Sequence, residues 1–179
     1  ASADAVTHWT RIGDSDRSND LKLVWEPARF CWVSLLVKAF RNSGNARFVR
    51  AFWQYWHRFQ ESNIPYCGPN WVSAQEVAIR LINWTMALQF FGNHPATRAD
   101  EREALIQGIF IHAYRIPCTI SYAKAQKNNH LLTEAAGLFT AGCLFKHMPE
   151  GRKWMRLGWK NFNEGILSQV DPDGTYIQH

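Results

Sequence analysis

Asn128, Asn129 and His130 stand together just before an apolar helical pattern, and Glu134 follows four residues later. An imidazole starts with a pKa of roughly 6.5, so it can take up or release a proton near neutrality. An amide has two N–H donors to offer an anion, and the free N–H groups at a helix start point the same way. Residues four apart share a helix face, so Glu134 could hold one ring nitrogen of His130 and leave the other free for proton transfer. Read as chemistry, Asn129 and His130 bind a carboxylate and move a proton, with Asn128 and Glu134 as supporting contacts. Read as structure, asparagine is a preferred N-cap, and a cap accounts for both asparagines. H-x-x-x-E supplies too few ligands for a metal and is not H-E-x-x-H, so no metal site is expected here.

A second set lies in GPNWVSAQEVAIRLINW, Gly68 to Trp84. Ser73 and Glu76 have the S-x-x-E spacing of a capping box. Glu76 and Arg80, four apart, are expected to pair along the helix. Trp71 precedes the cap and is either a hydrophobic staple or a flat platform for a sugar ring. Trp71, Glu76 and Arg80 are therefore candidate substrate contacts. Trp25, Glu26 and Arg29 open an earlier helix, where a local ion pair is the simpler reading. Asn83-Trp84-Thr85 spells a glycosylation sequon but falls inside a predicted helix. GDSDRSND lacks the central Gly and closing Glu of a calcium loop and reads as a solvated turn.

The elements that must hold these residues are helical. Apolar spacing predicts helices over 25–41, 46–60, 73–91, 98–115, 130–146 and 150–170, and a turn entering an extended segment over 171–179. No Val/Ile/Thr alternation marks a sheet. The chain reads as all-α, with short loops that make neighbouring helices antiparallel hairpins. Loops at one end of such an array converge on one mouth, where function belongs.

Composition narrows the partners. The chain has 179 residues, 46% of them hydrophobic and 14% aromatic, which excludes disorder and supports one domain. Nine tryptophans suggest that some line a groove. A net charge of +5 and a pI near 9.2 favour an anionic partner. The basic residues are scattered rather than run together, so no nucleic-acid-binding arm is expected. None of the four cysteines is spaced C-x-x-C; Cys31 and Cys143 fall in apolar helical patterns and are expected in the core. No apolar run is long enough to span a membrane.

Four motifs taken in order carry a resemblance: K-x-x-W-E-x-x-R from Lys22 to Arg29, N-W-x-S-x-x-E-x-x-x-R from Asn70 to Arg80, N-N-H-x-x-x-E from Asn128 to Glu134, and Asp173-Gly174. Together they resemble the helical part of the heparinase II/III-like polysaccharide lyases, a family that includes alginate lyases. The resemblance implies an incomplete (α/α) toroid of helical hairpins, followed by a β-sandwich domain. It implies β-elimination on uronate-containing anionic polysaccharides, and a periplasmic or secreted setting. It implies that Asn129 neutralises the uronate carboxylate and that His130 serves as base or carboxylate partner. Trp71, Glu76 and Arg80 match a motif near the cleft. No cofactor is implied for this stretch; a structural metal would belong to the β domain.

In the family, a catalytic tyrosine follows the Asp-Gly motif in a segment ending S-x-x-Y. The chain stops at His179, and Tyr176 stands too close to Gly174 to match. Residues 1–179 are thus expected to be one helical domain, the N-terminal part of a longer enzyme, inactive without the tyrosine and the β domain. Two readings compete. A non-catalytic helical module would bind a polyanionic glycan or a protein. A glycoside hydrolase would need opposed carboxylates roughly 5–9.5 Å apart, and no telling pair stands at the loop ends.

Overall fold

The computed structural model describes residues 3–12 and 21–176. The described residues form eight α-helices: α1 (Leu21–Ala28), α2 (Val33–Ser43), α3 (Arg47–Ser62), α4 (Ala74–Phe91), α5 (Ala99–Arg115), α6 (Ile120–Gln126), α7 (Asn129–Leu144) and α8 (Pro149–Gln169). Short 3-10 turns at Pro69–Trp71 and Ile116–Cys118 lead into α4 and α6. Only isolated bridges, His8 to Cys67 and Val170 to Tyr176, join extended residues among those described. The turn expected at 13–20 lies outside the described residues.

The helix expected over 25–41 is two helices. Phe30 breaks it with φ at 59°, a left-handed conformation that L-residues avoid. Tertiary packing offsets that cost: the Phe30 ring meets Phe59 at 5.3 Å and Trp84 at 5.6 Å, both edge-on. α6 was not foreseen. It is only seven residues long and buries just Ile120 and Ala123, too little pattern to reveal a helix.

α4 is the central helix. Val77, Ala78, Leu81, Trp84, Ala87 and Phe91 are all buried on it. Its aromatic residues join Phe52, Trp53, Trp56 and Phe59 of α3 in one core. α7 packs against α4 through small residues; a Cβ on Gly137 would stand 2.9 Å from the Ala78 Cβ. α8 lies along α7 at closer range still: a Cβ on Gly158 would stand 2.5 Å from the backbone nitrogen of Phe139. Gly151, Gly158 and Gly165 recur every seven residues and so share the face of α8 that meets α7.

Cys31 and Cys143 are exposed, against expectation. Phe30 takes the inward position at the α1–α2 break and leaves Cys31 outside. At 142–143 the glycine faces Met155 of α8, which turns its neighbour Cys143 away. After α8 the chain makes the expected turn: Asp171 N–H donates to the Thr175 carbonyl at 2.9 Å, with Gly174 at φ 87°. No helix among the described residues is long and apolar enough to cross a membrane.

The hairpins bring several termini to one end. Arg115, at the end of α5, donates to the carbonyls of Trp71 (3.0 Å) and Val72 (2.8 Å), just ahead of α4. Arg29, just after α1, reaches the first turn of α4. The first turn of α7 joins them, because the charge of Glu76 acts on His130 and that of Arg115 on Glu134.

Candidate active site at the starts of two helices

α7 begins with a cap. Asn128 is extended, and its Oδ1 accepts from the backbone N–H of His130 at 3.0 Å. Its Nδ2 donates to Gln126 Oε1 at 3.2 Å. Capping therefore accounts for Asn128. It does not account for the next two side chains. The Asn129 amide and the His130 ring are half-buried, and neither has a hydrogen-bond partner among the described residues. Loss of solvent lowers the His130 pKa from its ordinary 6.5, and the negative charge of Glu76 opposes that shift in part. At neutral pH the ring is uncharged and able to accept a proton.

Glu134 does not hold His130. Its residue is 2% exposed and its Oε2 has no hydrogen-bond partner. Burial pushes its carboxyl up to about 8, with the charge of Arg115 pulling the other way. The i,i+4 spacing puts both residues on one side of α7. Depth separates them, since Glu134 is buried in the interior while His130 is only half-buried.

Glu76 pairs with Arg29 instead of Arg80. Arg29 Nε donates to Glu76 Oε2 at 2.6 Å and Nη2 to Oε1 at 2.8 Å. The third guanidinium edge, Nη1, meets Glu26, so the expected local pair is also present. Of the capping box only half forms: Ser73 Oγ accepts from Glu76 N–H, but the Glu76 side chain is committed to Arg29.

Arg80 is 0% exposed. Its Nε donates to His112 Nε2 at 2.8 Å, and its other nitrogens donate to the carbonyls of Asn70 (2.9 Å) and Ala28 (3.4 Å). The faces of Phe59 and Trp71, with centroids 5.0 and 5.6 Å away, lie beside its charge. Because His112 Nε2 accepts, its proton sits on Nδ1 and is donated to the Gly108 carbonyl at 2.7 Å. Desolvation and the charge of Arg80 keep His112 neutral. Trp71 is also enclosed, with its ring 4.6 Å from His112 and 5.2 Å from Tyr66.

The candidate residues thus divide by depth. Asn129 and His130 are half-buried in the first turn of α7 and keep some surface open. Trp71, Glu76, Arg80 and Glu134 form a layer behind them that offers no surface to a ligand. Arg29 was missed as a site residue. It is the partly exposed cation of that layer, and only the W-E-x-x-R motif hinted at it. No group of three or more His, Cys, Asp or Glu among the described residues could hold a metal ion.

The family model described as Heparinase II/III N-terminus matches residues 6–178. The chain belongs to this family. Heparin-sulfate lyases are among its relatives: one from Bacteroides thetaiotaomicron is 26% identical over 151 residues, covering 83% of this chain and 21% of the relative. Another, from Bacteroides stercoris, is 25% identical, covering 89% of this chain and 26% of the relative. The chain therefore spans about a quarter of their length. A solved heparinase III with methylated lysines matches at a TM-score of 0.71 and 24% identity, over 89% of this chain and 27% of that one. A second heparinase III structure matches at 0.63 and 23%, over 83% and 23%. The all-helical architecture of this heparinase II/III-family chain is similar to the N-terminal toroid region of heparinase III.

Proposed function

We propose that this chain is the helical portion of a polysaccharide lyase that cleaves uronate-containing anionic glycans by β-elimination. The observation that carries the reading is the pair of unengaged, half-buried side chains, Asn129 and His130, in the first turn of α7. The net charge of +5 and the heparin-sulfate lyase relatives favour a heparan-type substrate.

The chemistry follows from the groups present. The proton on C5 of a uronate is hard to remove, because the electron pair left behind lies next to a carboxylate. Donors aimed at that carboxylate spread the developing charge. Asn129 Nδ2–H is one, and backbone N–H groups at the start of α7 are others. Neutral His130 takes the C5 proton. The electron pair becomes the C4–C5 double bond, the C4–O bond breaks, and the departing sugar oxygen is protonated. On this reading the tyrosine that the family carries beyond the Asp-Gly motif takes part in that proton transfer. The residues described here need no cofactor; a structural metal would lie in the β domain.

Asn129→Ala and His130→Ala in the full-length protein test the reading, with unsaturated uronate followed by its ultraviolet absorbance. Each is expected to lower turnover by about 10²–10³-fold without changing the helical circular dichroism. Unchanged turnover in both variants would refute the assignment.

A further inference from the structure

A groove between α1, α2 and α3 plays no part in that chemistry. It encloses about 660 Å³, within the roughly 300–1,000 Å³ of pockets that hold small ligands. Phe59 lies at its floor. Trp32, half-buried, and Tyr55, 51% exposed, form an aromatic wall with ring centroids 5.4 Å apart. Val24, Pro27 and Leu36 add apolar surface, and the polar groups gather at one side, with Arg58, Asn63 and Asn70. Arg58 is exposed, with its guanidinium 5.9 Å from the Tyr55 ring centroid, and it pairs with no carboxylate among the described residues. Asn70 is only 7% exposed. Its Nδ2 donates to Asn63 Oδ1 at 2.7 Å, which fixes the amide and leaves its own Oδ1 buried without a donor.

We propose that this groove is a second glycan-binding site, which holds a segment of an acidic oligosaccharide away from the bond that is cleaved. A pyranose matches each part of it. Its C–H face stacks on the exposed Tyr55 ring, and its edge meets Trp32, whose plane stands at 64° to that ring. A sulfate or carboxylate meets Arg58. The unpaired cation of Arg58 beside the Tyr55 ring favours an acidic occupant over an uncharged one. Ala28 and Asn70, which line the groove, also give their carbonyls to the buried Arg80.

The class of ligand rests on the proposed function; the residues do not, since the groove lies on α1–α3 and the candidate catalytic pair on α7. Tyr55→Ala and Arg58→Ser, singly and together, are made in the full-length Asn129→Ala protein, whose slowed turnover spares the ligand during the titration and which serves as the reference for affinity. Affinity is measured by calorimetry with a heparan-type oligosaccharide and with a neutral glucan of equal length. The double variant is expected to bind the acidic oligosaccharide at least tenfold more weakly, and Arg58→Ser to flatten the salt dependence. Unchanged affinity for the acidic oligosaccharide overturns the proposal, as does an equal loss for both sugars. If the Asn129→Ala protein eliminates at an undiminished rate while the groove variants lose binding, the assignment of the reaction site fails and the groove stands.

Discussion

Arg29 grips Glu76 edge to edge, with two parallel hydrogen bonds of 2.6 and 2.8 Å across 47 residues of sequence. The pair fastens the end of α1 to the first turn of α4. The Glu76 side chain is 3% exposed against 25% for Arg29, so the carboxylate depends on its cation for charge compensation. Arg29→Ala is expected to cost about 3 kcal/mol, as removing one partner of a buried pair does, read from urea denaturation. Arg29→Lys keeps the charge but not the two-point geometry and recovers only part of the loss. The double variant Arg29→Met, Glu76→Leu should be more stable than Arg29→Ala.

His130 supplies a pH signature. Its pKa lies below 6.5, and the reaction needs the neutral ring. Turnover should rise as pH climbs through that value and level off by about pH 7. Glu76→Gln removes the negative charge that favours the imidazolium, so the His130 titration followed by NMR should move further down. An upward movement would mean that Glu76 and His130 do not face each other.

Glu134 should make the fold less stable in alkali. Its carboxyl titrates at about 8 in the folded chain and at 4.5 when unfolded. Between those values the unfolded state has released its proton and the folded state has not. Stability therefore falls as pH rises from about 4.5 to about 8. Glu134→Gln, close in shape and never charged, should flatten the slope in denaturation series across that range.

The α7–α8 contact admits no added methyl. A Cβ at Gly142 would stand 2.4 Å from the Met155 backbone nitrogen, and one at Gly158 2.5 Å from that of Phe139. Backbone cannot swing aside as a side-chain end can, so Gly142→Ala and Gly158→Ala should each cost about 1–3 kcal/mol or more. Thermal denaturation beside a surface control such as Lys153→Ala would measure it.

Much of this fold was legible in the apolar spacing. The bounds predicted for α3, α4, α5, α7 and α8 agree with the observed ones to within two residues, because each helix turns a continuous apolar face to the core. The break at Phe30 was not legible: a left-handed phenylalanine arises from what its ring packs against, which lies on other helices. The site divides the same way. Asn128 to His130 were readable as a helix start from local sequence. The i,i+4 rule joined Glu76 to Arg80 and His130 to Glu134, but it knows only neighbours on one helix. Arg80 and Glu134 are charged types that usually stay at the surface, and nothing local reveals that the fold encloses them.

The last of the three glycines spaced along α8 has a consequence at the other end of its partner. A Cβ on Gly165 would press on Leu132, at 2.6 Å from its Cδ2, two residues beyond His130. Leu132 can turn that end aside, so the unyielding part of the contact lies at Gly158, where a Cβ would meet the Phe139 backbone nitrogen at 2.5 Å. Lys127, at φ 48°, forms the joint just before α7. The start of α7 is therefore set from behind: α8 lies against its backbone as a stiff spine.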